Sequence, residues 1–192
     1  MYKQYLFPLQ LFLILEKASI SYWSSKTLTP NHFILLINNK WFFMLNQIIR
    51  NELLFSSSIL VENTAVDTRF FNKASNELNI FFKQNKLLAY YSYYFFLTKL
   101  RLTFLINLKS SNKVSMSSID TIFKNANWLE RETSEMYGLL YYWKNDIRKL
   151  LLDYSKIENP MLKDFPCEGL QDVFYNFFEN QVTINKNEII EL

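Results

Sequence analysis

The side chains most capable of chemistry are concentrated in one short run, Asn127-Trp128-Leu129-Glu130-Arg131-Glu132, with Asp164 further along. Two carboxylates beside a guanidinium could exchange protons with a substrate. On a helix, however, residues two apart do not face each other, so Glu130 and Glu132 make a poor acid–base pair. Their simpler roles are to satisfy helix N–H groups and to meet cations, within the chain or across an interface. His32 is the only histidine and Cys167 the only cysteine. A disulfide within the chain is excluded, and a cysteine nucleophile would depend on that one distant histidine for its base. Structural zinc takes about four Cys or His ligands and an iron–sulfur cluster about four thiolates, so neither fits. With only two glycines, no Gly-rich phosphate loop can be built. His32 borders an apolar strand and reads as structural. The residues thus assign no catalytic group, metal ligand or cofactor-binding position.

Something must still position the charged run. Asn127 is a good N-cap with Glu130 three residues later, as in a capping box, and Gly138 falls where a left-handed residue would end a helix. This predicts a helix over Trp128–Tyr137, with Arg131 and Glu135 four apart and able to pair. Apolar Ile147, Leu150 and Leu151 predict a second helix over Asn145–Tyr154. Pro160 and Pro166 then bracket Lys163-Asp164-Phe165-Pro166, which reads as extended. The aromatics beyond it, Phe174, Tyr175, Phe177 and Phe178, suit a strap on a neighbouring protein better than burial at home.

Upstream the chain has the material for a core. Of its 192 residues 49% are hydrophobic and 18% aromatic, and a single domain of this size buries roughly 70% of its unfolded surface. Residues 18–24 and 32–38 read as strands, Trp41–Leu54 as a helix and Ser58–Asn63 as a short strand. Asn72–Lys86 reads as a helix or a loop. Tyr91, Tyr93, Phe95 and Leu97 fall on one parity and Leu100, Leu102, Phe104, Ile106 and Leu108 on the other. That switch requires a turn or a bulge near Thr98-Lys99, and two antiparallel strands result. Ser110–Lys113 reads as a turn. The apolar run Tyr5–Leu15, read as part of a helix over Lys3–Lys17, is about half the length that spans a bilayer, and Leu87–Leu108 is broken by Lys99 and Arg101. A signal peptide and a transmembrane helix are therefore not expected. Abundant Asn, Lys, Ile, Phe and Tyr point to an AT-rich genome, such as an organelle's.

The ordered text Ala126-Asn127-Trp128, Glu130-Arg131-Glu132, Met136-Tyr137-Gly138, then Asp146-Ile147-Arg148, Leu150 and Asp153, then Pro160, Lys163-Asp164-Phe165-Pro166 and Gly169, resembles a known family. It is the family of NADH dehydrogenase subunit 9, which belongs to the hydrophilic arm of respiratory complex I. The resemblance runs over about residues 58–170 and is strongest from Ser118. It departs in two places where the family carries His-Pro: here stand Lys144-Asn145 and Asn159-Pro160.

The fold expected is α+β in two layers, a mixed sheet of about five strands with helices on one face. Residues 1–155 would form the domain, and 156–192 an extended C-terminal tail. The resemblance implies a non-catalytic, cofactor-free subunit in a hetero-oligomer, on the matrix side of the mitochondrial inner membrane. Its partners would be chiefly the large quinone-site subunit (subunit 7), with neighbouring iron–sulfur subunits, and neither nucleic acid nor a membrane span. The structural and interface residues implied are Asn127, Trp128, Glu130, Arg131, Glu132, Tyr137, Gly138, Asp146, Arg148, Asp153, Pro160, Lys163, Asp164, Phe165 and Pro166. The alternative is an organellar RNA-binding or ribosome-associated protein. It draws on the net charge of +3 and on Tyr90–Phe96 as a stacking platform for bases.

Overall fold

The computed structural model describes residues 22–26, 31–51, 57–69, 85–109, 114–154 and 158–187. The helix expected over 3–17, most of Asn72–Lys86 and the turn at 110–113 lie outside them. The elements in chain order are β1 (Tyr22–Lys26), β2 (His32–Asn38), α1 (Asn39–Asn51), β3 (Ser58–Asp67), β4 (Asn85–Phe95) and β5 (Leu100–Lys109). Then follow β6 (Ser115–Ser117), α2 (Ala126–Tyr137), β7 (Leu140–Tyr142), β8 (Gln171–Asn176) and β9 (Gln181–Lys186).

Strands β1 to β5 form one sheet in the order β1-β2-β5-β4-β3. Only β2 and β5 run parallel, so the sheet is mixed, as expected. Phe95 stands opposite Leu100, Tyr93 opposite Leu102 and Tyr91 opposite Phe104. Directly paired residues point to the same face, which is how odd positions of β4 and even positions of β5 share one core. The reversal falls at residues 96–99, with Lys99 at a φ of 53°. Leu97, grouped by parity with β4, sits in that turn and is exposed.

Tyr91, Tyr93, Phe95, Leu102, Phe104 and Ile106 are fully buried on this inner face, each contributing roughly 1.5–3 kcal/mol of hydrophobic burial. Helix α1 lies on it through Phe42, Leu45 and Ile49, with Phe42 and Tyr91 ring centroids 4.6 Å apart. A buried tyrosine hydroxyl needs a partner. The Tyr93 hydroxyl donates to Asn46 Oδ1 at 2.5 Å, and Asn46 Nδ2 donates to the Phe42 carbonyl at 2.8 Å. Asn46 is thus a core residue that apolar periodicity does not reveal. Helix α2 packs against β3, where Thr133 Oγ1 donates to the Asn63 carbonyl at 3.3 Å. Asn63 faces inward beside Tyr91, so both helices cover one face.

Two smaller sheets complete the fold. Strands β6 and β7 pair in parallel and bring Ser115–Ser117 beside Leu140–Tyr142. The C-terminal part is not a plain extended tail: β8 and β9 pair as an antiparallel hairpin with Asn180 at a φ of 52°. Its tip holds Phe177 and Phe178, 81% and 99% exposed. Among the described residues no helix is long and apolar enough to cross a membrane.

Candidate functional site: an anchored helix and the loops it holds

Helix α2 begins two residues earlier than its apparent capping box suggests. The capping position is Asn125, in a helical conformation (φ −69°, ψ −19°) and without a side-chain cap; its Nδ2 donates instead to the Leu60 carbonyl on β3. Asn127 is therefore inside the first turn, and Glu130 does not cap its own helix. The Glu130 carboxylate is fully buried. It accepts the Ile119 N–H at 2.9 Å, the Ser118 hydroxyl at 2.5 Å and the Lys144 ammonium at 3.1 Å. Burial pushes its carboxyl up from the ordinary value, against these three donors pulling it down. Lys144 is itself almost entirely enclosed. Around the pair, the Tyr91 hydroxyl donates to the Tyr141 hydroxyl at 3.4 Å, and Asn63 Nδ2 donates to the same oxygen at 3.3 Å.

The second expected helix does not form. Residues 145–153 are irregular, and the reason lies in α2. Glu135 accepts the backbone N–H groups of Leu150, Leu151 and Leu152, the first at 2.9 Å. Arg131 donates to the carbonyls of Arg148 at 2.8 Å and Lys149 at 3.2 Å, and reaches Asp146 at 3.4 Å. Backbone groups a helix would have used internally are taken by two side chains of opposite charge. For the same reason Arg131 and Glu135 do not pair with each other. Asp146 also binds the Arg148 backbone N–H and guanidinium, which hold its carboxyl well below the usual range. The Asp153 carbonyl takes the Lys149 ammonium at 2.8 Å.

Gly138 ends α2 in the left-handed region at φ 72°, as expected, and its N–H donates to the Ser134 carbonyl at 2.9 Å. A side chain there would meet Asn159 Oδ1 at 2.9 Å. Asn159 Nδ2 in turn donates to the Glu135 carbonyl at 2.7 Å, just before half-buried Pro160. Tyr137 packs partly buried on the core. Lys144 and Asn159, the two departures from His-Pro, are thus each hydrogen-bonded to α2.

Lys163–Pro166 is turned rather than extended, with Phe165 and Pro166 half-buried. The Lys163 N–H donates to Asp67 at 3.0 Å, and its ammonium donates to the Arg69 carbonyl at 2.7 Å. Arg69 binds Asp164 through both terminal nitrogens, at 2.6 and 2.8 Å, and Asp67 at 2.5 Å. Sequence spacing gave no sign of Arg69, which lies 95 positions from Asp164. Burial would raise the Asp67 carboxyl, but hydrogen bonds from Arg69 and Lys163 outweigh it and bring it down to about 2, from 3.8. A depressed folded-state value means stability that is complete above about pH 4 and lost as pH falls through about 2. Over that window the group contributes about 2 kcal/mol. Acid denaturation of the full chain should show this loss, and Asp67→Asn should remove that pH-dependent part. Parallel profiles for variant and parent would contradict the assignment.

Among the described residues, no group of three or more His, Cys, Asp or Glu could hold a metal ion. His32 Nε2 is 2.8 Å from Thr103 Oγ1, and Cys167 is exposed. What the arrangement does offer is rigidity and surface. Three of the four charged residues of α2 are spent inside the chain, while Glu132 is exposed and bonds nothing among the described residues. Exposed apolar side chains include Trp128 at 61%, Trp143 at 77% and Ile147 at 79%.

Residues 37–171, more than two thirds of the chain, match the family described as respiratory-chain NADH dehydrogenase, 30 Kd subunit. NADH-ubiquinone oxidoreductase subunit 9 of Paramecium primaurelia is 40% identical over 186 residues, spanning 97% of this chain and 87% of the relative. Its counterpart in Paramecium tetraurelia is 40% identical over 172 residues, 90% of this chain and 80% of the relative. In the solved structures, a chain of the membrane-bound sulfane sulfur reductase, an archaeal respiratory membrane complex, has a similar fold. Its TM-score is 0.64 at 17% identity, with 82% of this chain and 84% of that one covered.

Proposed function

From the premise that the chain belongs to the respiratory-chain NADH dehydrogenase 30 kDa subunit family, we propose that it acts as a brace with no catalytic group of its own. It is a peripheral-arm subunit of NADH:quinone oxidoreductase, part of a hetero-oligomeric complex associated with a mitochondrial membrane. Electron transfer and quinone chemistry need fixed distances, and a stiff subunit supplies them by holding its neighbours in register. Supporting this is one observation above the rest: α2 commits Glu130, Arg131 and Glu135 to its own chain and leaves Glu132 and Trp128 outward. A side chain on so fixed a support loses little entropy when a partner meets it.

The partner that the family resemblance implies is chiefly the large quinone-site subunit, with the iron–sulfur subunits beside it, on the matrix side. The hairpin of β8 and β9 and residues 158–170 would form the strap. An isolated two-stranded hairpin is marginal in water, and its exposed Phe174, Tyr175, Phe177 and Phe178 are the residue types that anchor interfaces. The RNA alternative gains nothing here, because Tyr91 and Tyr93 of the proposed platform are fully buried.

Purification of the native assembly tests the reading: the chain should travel with NADH-oxidising activity. Glu132→Ala, and Asp164→Ala, which removes one of the two carboxylates on Arg69, should each lower the amount of assembled arm by about tenfold, the scale of a lost interface anchor. Turnover per assembled complex should stay unchanged. Normal assembly with selectively lost turnover would sink the brace.

A further inference from the structure

The β8–β9 hairpin has two unlike faces, and its register shows which residues make each. Val173 stands opposite Ile184 and Tyr175 opposite Val182, and directly opposed residues share a face. Phe177 extends that face to the tip, its ring centroid 5.1 Å from that of Tyr175 and nearly perpendicular to it. Lys186, opposite Gln171, closes the face at the base. The other face carries Asp172, Thr183 and Asn185 around Phe174. We propose that the apolar face is the surface through which two copies of the free chain pair about a twofold axis. The pairing belongs to the chain before assembly and goes beyond the bracing role; in the assembled arm a neighbour takes the second copy's place.

The sequence of side chains along the face is its own complement. From base to tip it reads Lys186, then Val173 with Ile184, then Tyr175 with Val182, then Phe177. A twofold axis between the second and third ranks sets the β-branched pair of one copy against the Tyr175–Val182 pair of the other. The same operation brings the Lys186 ammonium over the Phe177 ring of the second copy, where the face of an aromatic ring attracts a cation. It also holds the two lysines roughly 20 Å apart, three ranks of strand, so they do not repel. Stacking in the same direction would put lysine beside lysine and forfeit both gains. A closed twofold contact stops at the dimer.

Area sets the strength of the contact. Val173, Val182 and Ile184 are 61%, 62% and 59% exposed, and Tyr175 is 47% exposed. With Phe177, the apolar surface they offer is on the order of 500 Å² per copy. Two such faces bury on the order of 1,000 Å² together, the lower limit for a specific interface. The dimer is therefore weak, with a dissociation constant on the order of 10 µM. Pairing also meets a need of the hairpin itself, since two strands alone are marginal in water. Face to face, the two hairpins form a four-stranded sandwich with the apolar side chains between its layers.

The test is sedimentation velocity of the free full-length chain from about 1 to about 100 µM, a range that brackets the expected midpoint. The chain should pass from monomer to dimer across it. Val182→Lys puts a charge in the middle of the contact and should raise the dissociation constant at least about tenfold. Asn185→Lys, on the opposite face, should leave it within about twofold. Lys186→Met removes the cation from the ring and should raise it about threefold. Near-UV circular dichroism of each variant should match the parent, and Lys186→Met at the exposed base carries the test if Val182→Lys does not fold. A chain that stays monomeric throughout would overturn the proposal, and so would association that continues beyond a dimer. Equal weakening by Val182→Lys and Asn185→Lys, or by neither, would place the contact elsewhere and overturn it. Val182-dependent binding of a monomeric chain to phosphatidylcholine vesicles would give the face to lipid instead. A monomeric chain whose Val182→Lys variant drops out of the assembled complex would give it to a neighbouring subunit alone. Copurification with NADH-oxidising activity is a separate measurement: its failure defeats the bracing role and leaves the dimer standing.

Discussion

Replacing Lys144 with methionine is expected to destabilise the chain by about 3–5 kcal/mol, the range found when one member of a buried ion pair is removed. Glu130 and Lys144 are 0% and 1% exposed in their side chains. Without the ammonium, the carboxylate would keep only the Ile119 N–H and the Ser118 hydroxyl in a site closed to water. A typical domain has about 5–15 kcal/mol in hand, so the single change removes a large share. Glu130→Gln combined with Lys144→Met should be milder than Lys144→Met alone, because no charge is then left unpaired. The pH dependence has a definite sign. A carboxyl already raised by burial is raised further when its cation goes, so the folded variant binds a proton that the unfolded chain does not. The deficit should therefore shrink as pH falls from neutrality toward the ordinary carboxyl value of 4.5. Denaturant unfolding of the full chain across that range measures it. A deficit below about 1 kcal/mol that ignores pH would show that Glu130 does not depend on Lys144.

Glu135→Ala should act differently, sparing the sheet and releasing one loop. Three successive amides, Leu150 to Leu152, end on that carboxylate. Hydrogen bonds to a charged group contribute about 1.5–3 kcal/mol each. Allowing for sharing, the loss of about 3 kcal/mol would raise local opening about 100-fold. Hydrogen exchange should show that acceleration at Leu150, Leu151 and Leu152, with Tyr91 and Phe104 in the sheet unaffected. Assembly should fall too, since Ile147 and Leu151 present apolar surface from the same loop. Uniform acceleration across the sheet would mean that the carboxylate supports the whole domain instead.

The contrast between these two glutamates marks the limit of what the sequence makes legible. The sheet was readable because alternation is a local property: the parity switch between Phe95 and Leu100 follows from residues within one hairpin. Gly138 was readable for the same reason, since a left-handed helix end needs a residue without a Cβ. Glu130 looked local as well, three residues after a capping Asn, yet its carboxylate turns to Ile119 and Lys144. Ile147, Leu150 and Leu151 have helical spacing, but a helix also needs its own amides and carbonyls, and Glu135 and Arg131 take them. The Asp67–Arg69–Asp164 clamp joins positions 95 apart, and no window of sequence contains it. Polar contacts across the tertiary fold, rather than hydrophobic pattern, decide the candidate surface.

The tip of the β8–β9 hairpin has a consequence for the life of the free chain. Phe177 and Phe178 stand in water, beside strands with unpaired outer edges that can template further pairing. A copy made in excess of its neighbours is thus sticky at a fixed address, a handle for chaperones and proteases. Once docked, the same handle is hidden. Cells holding such a subunit would keep its numbers matched to the rest of the arm by destroying orphans, with no need of a separate degradation signal.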